Sequence, residues 1–197
     1  DDKIENNNRM IERINKLTQL FYLNFCNDGH HIDQLENYID NLDRYRKPLS
    51  SRERDSLEKL YPYYGAAEIL DYVDNYLFDG DYILLGEDGT VADSFGFPII
   101  QHVNEKFWAN NHTHILNSKN NIDNNTLELI LKNTNVLSII TGAVQPKINQ
   151  ANMNSLKIKI PNQISKFKNL IEPYFNKRQI LLVENKKEAL YLLEKIK

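Results

Sequence analysis

Both ends of the 197-residue chain carry apolar residues at helical spacing, and these two stripes constrain the fold more than any other feature. The first stripe has steps of three, four or seven residues: Ile4, Ile11, Ile14, Leu17, Phe21 and Phe25. This spacing is typical of an amphipathic helix, and Asn27-Asp28-Gly29 is typical of a helix end. Because an apolar stripe is unfavourable in water, we expect a second helix to cover it.

The second stripe follows the C-terminal residues at heptad-like spacing with polar interruptions: Ile164, Phe167, Ile171, Tyr174, Arg178, Leu181, Asn185, Glu188 and Leu192. Because proline is disfavoured in helix interiors, we predict a short helix over 163–172 and a long one that begins at Pro173. Asn185 could fix the pairing register or the choice of partner. The two ends could pair as a helical hairpin or bind helices of other chains, and both arrangements stay open.

The segment between the stripes has the pattern of short strands joined by irregular connections. Tyr61–Ala66 indicates a turn followed by close backbone approach, and Asn125–Lys132 indicates a short helix. Three short stretches predict strands: Tyr82–Leu85, His112–Leu116 and Leu156–Ile160.

These elements predict an α+β fold, in which a single domain of short strands and small helices packs against long, antiparallel, coiled-coil-like helices. The expected bounds are 1–27 for the first helix, 28–162 for the α+β domain and 163–197 for the distal helix.

Composition excludes several classes of protein. With one cysteine, Cys26, the chain has no internal disulfide framework, and we expect Cys26 to be a small buried residue of a helix. There is no apolar run of the roughly 20 residues that span a bilayer and no signal-peptide pattern, so we expect a cytoplasmic protein without a membrane partner. The chain begins without methionine inside a helical pattern, and we expect it to be either a shortened piece or the C-terminal part of something longer.

The formal net charge of −3 does not by itself favour nucleic acid, but the charge is unevenly distributed. Residues 44–54 carry five cations against one acid. A second segment, Thr141–Gln150, is a loop with amide and ammonium donors. Such groups contact phosphates and base edges. The candidate DNA-binding residues are Arg44, Arg46, Lys47, Arg52, Arg54, Thr141, Gln145 and Lys147.

The sequence offers no catalytic constellation and no nucleotide-binding loop, and we predict neither catalytic residues nor a cofactor. His112 and His114 could together ligate a metal, with Glu87, Asp88 or His102 as a third ligand. Nothing in the spacing selects one of these three, so we predict no metal and favour histidines hydrogen-bonded inside the fold.

Several segments, in their order along the chain, resemble the target-recognition domain of type I restriction–modification specificity subunits. The resemblance extends from about residue 35 to the C-terminus, and the first helix resembles the end of the family's central spacer helix. The matching segments are residues 46–53, 61–66, 69–80, 82–91, 107–112, 145–150 and 156–161.

The resemblance implies a non-enzymatic adaptor: spacer end, second target-recognition domain and distal spacer helix. The implied partners are double-stranded DNA, the modification (methyltransferase) subunits and, indirectly, the restriction motor subunit. The domain would read one half of a split target, while the methyltransferase subunits methylate adenine. With one recognition domain present, a homodimer could restore two-fold symmetry.

Two alternatives belong to other classes. The first is a metal-dependent hydrolase built on His112 and His114. The second is a helical protein-interaction module that uses the two stripes and has no role in DNA binding.

Overall fold

The computed structural model describes residues 2–142 and 144–196 and divides into two compact units. The helical unit comprises the chain up to His31 and from Pro161 onward, and the sheet unit comprises Ile32–Ile160. The α-helices are α1 (Asp2–Asn27), α2 (Ser51–Asp55), α3 (Asn124–Lys132), α4 (Gln150–Asn154) and α5 (Ile164–Ile196). The strands are β1 (His30–Gln34), β2 (Ile39–Asn41), β3 (Tyr61–Tyr64), β4 (Ile69–Val73), β5 (Phe78–Gly86), β6 (Ile100–Ala109), β7 (Thr113–Ser118) and β8 (Lys157–Pro161).

In the helical unit, α1 and α5 form an antiparallel hairpin, so the two apolar stripes contact each other. The ring of Phe21 lies 5.6 Å from that of Tyr174, and the ring of Phe25 lies 5.3 Å from that of Phe167. Nearer the other end, Asn7 Nδ2 donates to Asn185 Oδ1 at 2.9 Å. Partners of increasing number on α1 have decreasing numbers on α5, which is the antiparallel direction.

After Ile14, the buried line of α1 is displaced by one position from the predicted stripe. Leu17 was predicted to be at its centre but is 36% exposed, and the buried side chains are Ile14, Thr18, Tyr22 and Cys26. Thr18 escaped notice because it is polar, but its hydroxyl donates to the Ile14 carbonyl at 2.9 Å, which satisfies it inside the interface. The prediction that Cys26 is a buried helical residue is confirmed.

The predicted helix boundary at Pro173 is wrong, because α5 continues through this residue without a break. Proline removes one backbone hydrogen bond from a helix interior. Pro173 lies on the exposed face, where water can satisfy the freed carbonyl, while the neighbouring Ile171 and Phe175 are buried. Burial of apolar side chains on both sides therefore outweighs the local cost.

The sheet unit has a six-stranded mixed sheet in the order β2-β7-β5-β6-β3-β4. Strand β5 pairs antiparallel with β6 and with β7, whereas β3 pairs parallel with β6. This mixture of strands and short helices confirms the predicted α+β class. One buried cluster contains Tyr64, Phe78, Leu84, Val103, Phe107, Ala109 and Ile115.

Two local predictions in this unit are wrong. Residues 61–64 form the strand β3 and not a turn. Pro62 has no partner on β6, which pairs with β3 only at Tyr63 and Tyr64, and lies opposite Tyr72 of β4 on its other side. His112 does not belong to a strand with His114, because Asn110 Oδ1 accepts from the His112 amide at 2.8 Å and forms a turn before β7. The helix predicted over 125–132 is confirmed as α3.

Strands β1 and β8 form a separate two-stranded sheet. The Leu35 amide donates to the Leu156 carbonyl at 2.9 Å, and the Asn162 amide donates to the Gly29 carbonyl at 3.0 Å. These bonds flank the strands at their two ends, so β1 and β8 run in opposite directions. In residues 2–142 and 144–196, no helix combines the length and apolarity needed to cross a membrane.

Candidate nucleic-acid interface

The basic segment 44–54 is held in shape by a short helix and its cap. Ser50 precedes α2, its hydroxyl accepts from the Glu53 amide, and the Glu53 carboxylate accepts from the Ser50 amide at 2.7 Å. This reciprocal pattern is a capping box. The one acid of the segment therefore stabilises the start of α2, and the cations on either side of it are presented from a defined backbone.

Two cations of this segment, Arg46 and Arg54, are engaged within the protein. Arg46, whose side chain is 13% exposed, donates from Nη1 to Glu87 Oε2 and to the Thr113 carbonyl, both at 2.7 Å. Arg54 Nε donates to Asp71 Oδ2 at 3.1 Å. A hydrogen bond from Lys59, together with those from the Tyr72 amide and Arg54, lowers the pKa of Asp71 to about 2. Asp71 is therefore ionised at neutral pH and compensates the charge of Arg54.

The other cations of the segment face solvent. Arg44 is exposed, and its guanidinium lies 4.7 Å from the centre of the Tyr45 ring. Lys47 and Arg52 are exposed and form no ion pair within the described part of the chain. Their charges are uncompensated, so these three residues are the ones in the segment that a phosphate can reach.

The second predicted segment is a closed loop. The amides and carbonyls of Thr141 and Lys147 exchange two hydrogen bonds of 2.8 Å. Gly142 has a φ of 89°, and a Cβ there would lie 2.1 Å from the Gln145 carbonyl oxygen, so only glycine fits. Gln145 is exposed at the tip and Ile148 is buried at the base, while Ala143 lies outside the described residues. The loop thus presents its amide donor from a fixed base.

Glu87 joins the two segments. Its Oε2 accepts from Arg46, and its Oε1 lies 3.1 Å from Lys147 Nζ. Burial by itself raises the pKa of Glu87, but the bond from Arg46, the charge of His114 and the bond from Lys147 outweigh it and hold the pKa below its ordinary value. Glu87 is therefore ionised at neutral pH. We call Asp43, Arg46, Glu87, His114 and Lys147 the Glu87 cluster.

Within this cluster, Asp43, Glu87 and His114 have ligand atoms within 4.8 Å of one another, the kind of set that can hold a metal ion. The set is already neutralised, because the guanidinium of Arg46 and the ammonium of Lys147 lie against its carboxylates. His114 contacts Asp43 and the Ile148 carbonyl. The geometry does not favour the metal-dependent hydrolase.

The two histidines of that alternative have separate partners. His114 is buried and hydrogen-bonded, as predicted. His112 was also expected inside the fold, but it is exposed, and its Nδ1 lies 2.5 Å from Asp88 Oδ1. The two rings therefore do not share one set of ligands.

An open groove of about 320 Å³ lies beside the second loop. The sequence singled out Gln145, but it missed that Thr90, Asn110 and His112 line the same groove, because their proximity depends on the sheet. The complete lining is Ala66, Ala67, Glu68, Leu70, Asp88, Gly89, Thr90, Asn110, His112 and Gln145. Hydroxyl, amide and imidazole groups can hydrogen-bond to base edges.

Comparison with known proteins gives a consistent result. Residues 39–166 match the family model described as the type I restriction modification DNA specificity domain. A type I restriction enzyme specificity subunit from Haemophilus influenzae is 36% identical over 131 residues, which are 66% of this chain and 32% of that protein. The chain thus spans about a third of the length of this curated relative.

Two solved structures show the same fold. The type I restriction–modification S subunit from M. genitalium has a TM-score of 0.66 at 18% identity, over 100% of this chain and 56% of that one. A chain from a study of complex assembly and conformational transition of the type I system has a TM-score of 0.51 at 9% identity, over 97% and 54%. The family match covers both predicted DNA-binding segments and the groove, and the chain belongs to the type I restriction–modification DNA specificity family.

Proposed function

We propose that this chain binds double-stranded DNA in a sequence-specific manner and directs adenine methyltransferase subunits to its target. The observation that carries this proposal is the junction at Glu87, which contacts Arg46 of the basic segment and Lys147 of a loop whose Gln145 lines the groove. Phosphates favour cations and base edges favour directional donors and acceptors. Both kinds of group occur in the two segments that Glu87 connects.

The contacts divide into two roles. We propose that Arg44, Lys47 and Arg52 contact phosphates, because they are the exposed cations of the basic segment. Gln145 is proposed to contact a base edge from the groove. The remaining candidates, Arg46, Arg54, Thr141 and Lys147, lie near DNA but hold the two segments in place through the bonds described above.

The hairpin α1–α5 is proposed to dock the modification subunits. It carries a cleft of about 370 Å³ with a mostly apolar lining: Met10, Arg13, Ile14, Leu17, Pro173, Tyr174 and Lys177. Exposed apolar side chains elsewhere on the hairpin include Leu20, Leu23, Ile180 and Leu190. Such a surface is typical of a protein-binding site. Methylation and cleavage are proposed to belong to the partner subunits, with the motor subunit reached indirectly, in the cytoplasm.

The decisive experiment is reconstitution with the modification subunits encoded beside this chain, followed by sequencing of DNA for methylated adenines. The expected result is methylation at one split motif that requires the chain. A helical interaction module without a DNA role predicts a complex that forms but neither protects nor methylates a defined motif. That outcome would refute the proposed function.

We expect replacement of Arg52 by glutamate to weaken binding to all DNA sequences by a similar factor. Each phosphate contact that is lost reduces the slope of log K against log salt by about 0.9, and Arg52 has no structural partner among the described residues. Filter-binding titrations from 50 to 200 mM salt measure both effects. Lys157→Glu, an exposed cation on β8, is the matched control. An unchanged affinity and slope would remove Arg52 from the interface.

We expect the isolated chain to form a dimer, because one recognition domain reads one half of a split target and a two-fold pair reads both. Sedimentation equilibrium should then give about twice the 23.1 kDa mass of the chain. A monomer at high concentration would contradict self-pairing but would leave DNA recognition with a different second half possible.

A further inference from the structure

Glu87 is an acid at a surface that we propose to bind DNA. Its carboxylate repels phosphates, so direct electrostatics disfavour it there. Its backbone is fixed on both sides, since its amide donates to the His112 carbonyl and its carbonyl accepts from the Ile148 amide, both at 2.8 Å. The residue thus occupies a fixed position between the turn before β7 and the end of the second loop.

The two carboxylate oxygens of Glu87 have different partners. Oε2 accepts from Arg46 Nη1 at 2.7 Å, and Oε1 lies 3.1 Å from Lys147 Nζ. The side chain is 14% exposed, so both interactions are partly shielded from water and are stronger than surface ion pairs. Arg46 belongs to the basic segment and Lys147 to the loop that carries Gln145, and one carboxylate therefore links side chains of the two segments.

Arg46 is in turn restrained by other groups. Its Nε donates to the Asp43 carbonyl at 3.2 Å, and its Nη2 lies 3.3 Å from Asp43 Oδ2. Asp43 also accepts from the Ile115 amide at 2.9 Å, which ties it to the central sheet. A continuous series of contacts therefore connects the central sheet to Asp43, Arg46, Glu87 and Lys147 of the loop.

We propose that Glu87 is a positioning residue for sequence discrimination, which holds the basic segment and the Thr141–Lys147 loop in one relative placement. This inference rests on the proposed DNA-binding function. Base readout requires donors at fixed distances from the phosphates that orient the protein. When Glu87 is neutral, Arg46 keeps its bonds to Asp43 and Thr113, but the ionic connection from Arg46 through the carboxylate to Lys147 is lost. Phosphate binding then persists, and Gln145 is no longer held at a fixed position relative to a base edge.

The test compares cognate and scrambled duplexes. The cognate sequence is first selected from a random double-stranded library by the chain assembled with its modification subunits. Affinities for both duplexes are then measured for the wild type, Glu87→Gln and Glu87→Asp. We expect Glu87→Gln to bind scrambled DNA as tightly as the wild type or more tightly, and to lose about tenfold or more in the ratio of cognate to scrambled affinity.

The matched control is Asp55→Asn, which also removes one acid next to the basic segment. Asp55 is exposed and has no side-chain partner in the described residues, so we expect both affinities to rise together and the ratio to stay constant. Glu87→Asp keeps the charge on a shorter side chain and is expected to retain part of the ratio. This variant keeps the test informative if Glu87→Gln unfolds, which thermal melting detects.

Three results would overturn the proposal. If Glu87→Gln raises both affinities equally, as Asp55→Asn does, Glu87 acts only as a local charge. If both affinities fall by the same factor, its role is limited to stability. If both Glu87→Asp and Glu87→Gln keep the wild-type ratio of cognate to scrambled affinity, the spacing of the two segments does not affect discrimination. Failure of the proposed function is distinct, because the wild type would then select no sequence at all.

Discussion

Replacing Phe107 by alanine is expected to lower the free energy of unfolding of the sheet unit by about 3–5 kcal/mol. Phe107 is fully buried on β6. Its ring stacks on that of Phe78 at 5.1 Å and meets the rings of Tyr64 and Tyr82 edge-on at 5.5 and 5.8 Å. Alanine removes these contacts and leaves a cavity that rigid strands on both sides cannot fill.

Urea denaturation followed by tryptophan fluorescence measures this loss, because Trp108 is the chain's single tryptophan and lies in the sheet unit. The matched control is Phe95→Ala. Phe95 is 76% exposed, so its removal is expected to change the free energy by no more than about 0.5 kcal/mol. If the two variants lost equal stability, Phe107 would not be a core residue in solution.

The second large effect concerns His102, which links α3 to the sheet. Its Nδ1 lies 2.6 Å from Glu128 Oε2, and its Nε2 lies 2.6 Å from Asp81 Oδ1. Glu128 is almost completely buried and also contacts Lys132 Nζ. Burial by itself lowers the pKa of His102, but hydrogen bonds and charge from Asp81 and Glu128 outweigh it and raise the pKa above 6.5. Two carboxylates thus favour the doubly protonated ring.

The raised pKa makes stability depend on pH. A group with a raised folded-state pKa contributes fully below its unfolded value, here 6.5, and the contribution is lost as pH rises through the folded-state pKa. We therefore expect the sheet unit to lose stability as pH increases above 6.5. His102→Gln should lower the free energy of unfolding by about 3 kcal/mol below pH 6.5, since it leaves the buried Glu128 with one cation fewer.

Urea titrations of the wild type and His102→Gln at several pH values test this expectation. The difference between the two curves isolates His102 from the other histidines, and it should shrink as the pH rises. A difference that is constant with pH would show that the ring contributes by packing and not by charge.

Most of the helical unit could be predicted from sequence, because its apolar residues recur at the spacing of a helix. The stripes containing Phe21 and Tyr174 predicted two paired helices, and the structure pairs them. The predicted helix boundary at Pro173 was wrong, because burial of the apolar residues on either side outweighs the low helix propensity of proline. The apolar spacing also did not identify Thr18 as buried, because this polar residue satisfies its hydroxyl by donating to a carbonyl of its own helix.

Only part of the candidate DNA-binding site could be predicted from the sequence. Charge density identified the basic segment, but it treated Arg46 and Arg52 alike, although one is held by Glu87 and the other faces solvent. That difference depends on β5 and on the second loop, which are distant in sequence from Arg46. Long-range pairing of this kind leaves no local signature, so the organising role of Glu87 could not be predicted.

The pairing of β1 with β8 has a consequence for how such a protein can change. Neighbouring strands lie about 4.8 Å apart, so the chain enters and leaves the sheet unit at almost the same point. A segment with adjacent ends can be exchanged as a cassette without altering the path of the flanking chain. A graft with junctions at Ile32 and Ile160 would replace every residue that we propose to contact DNA and leave both long helices intact.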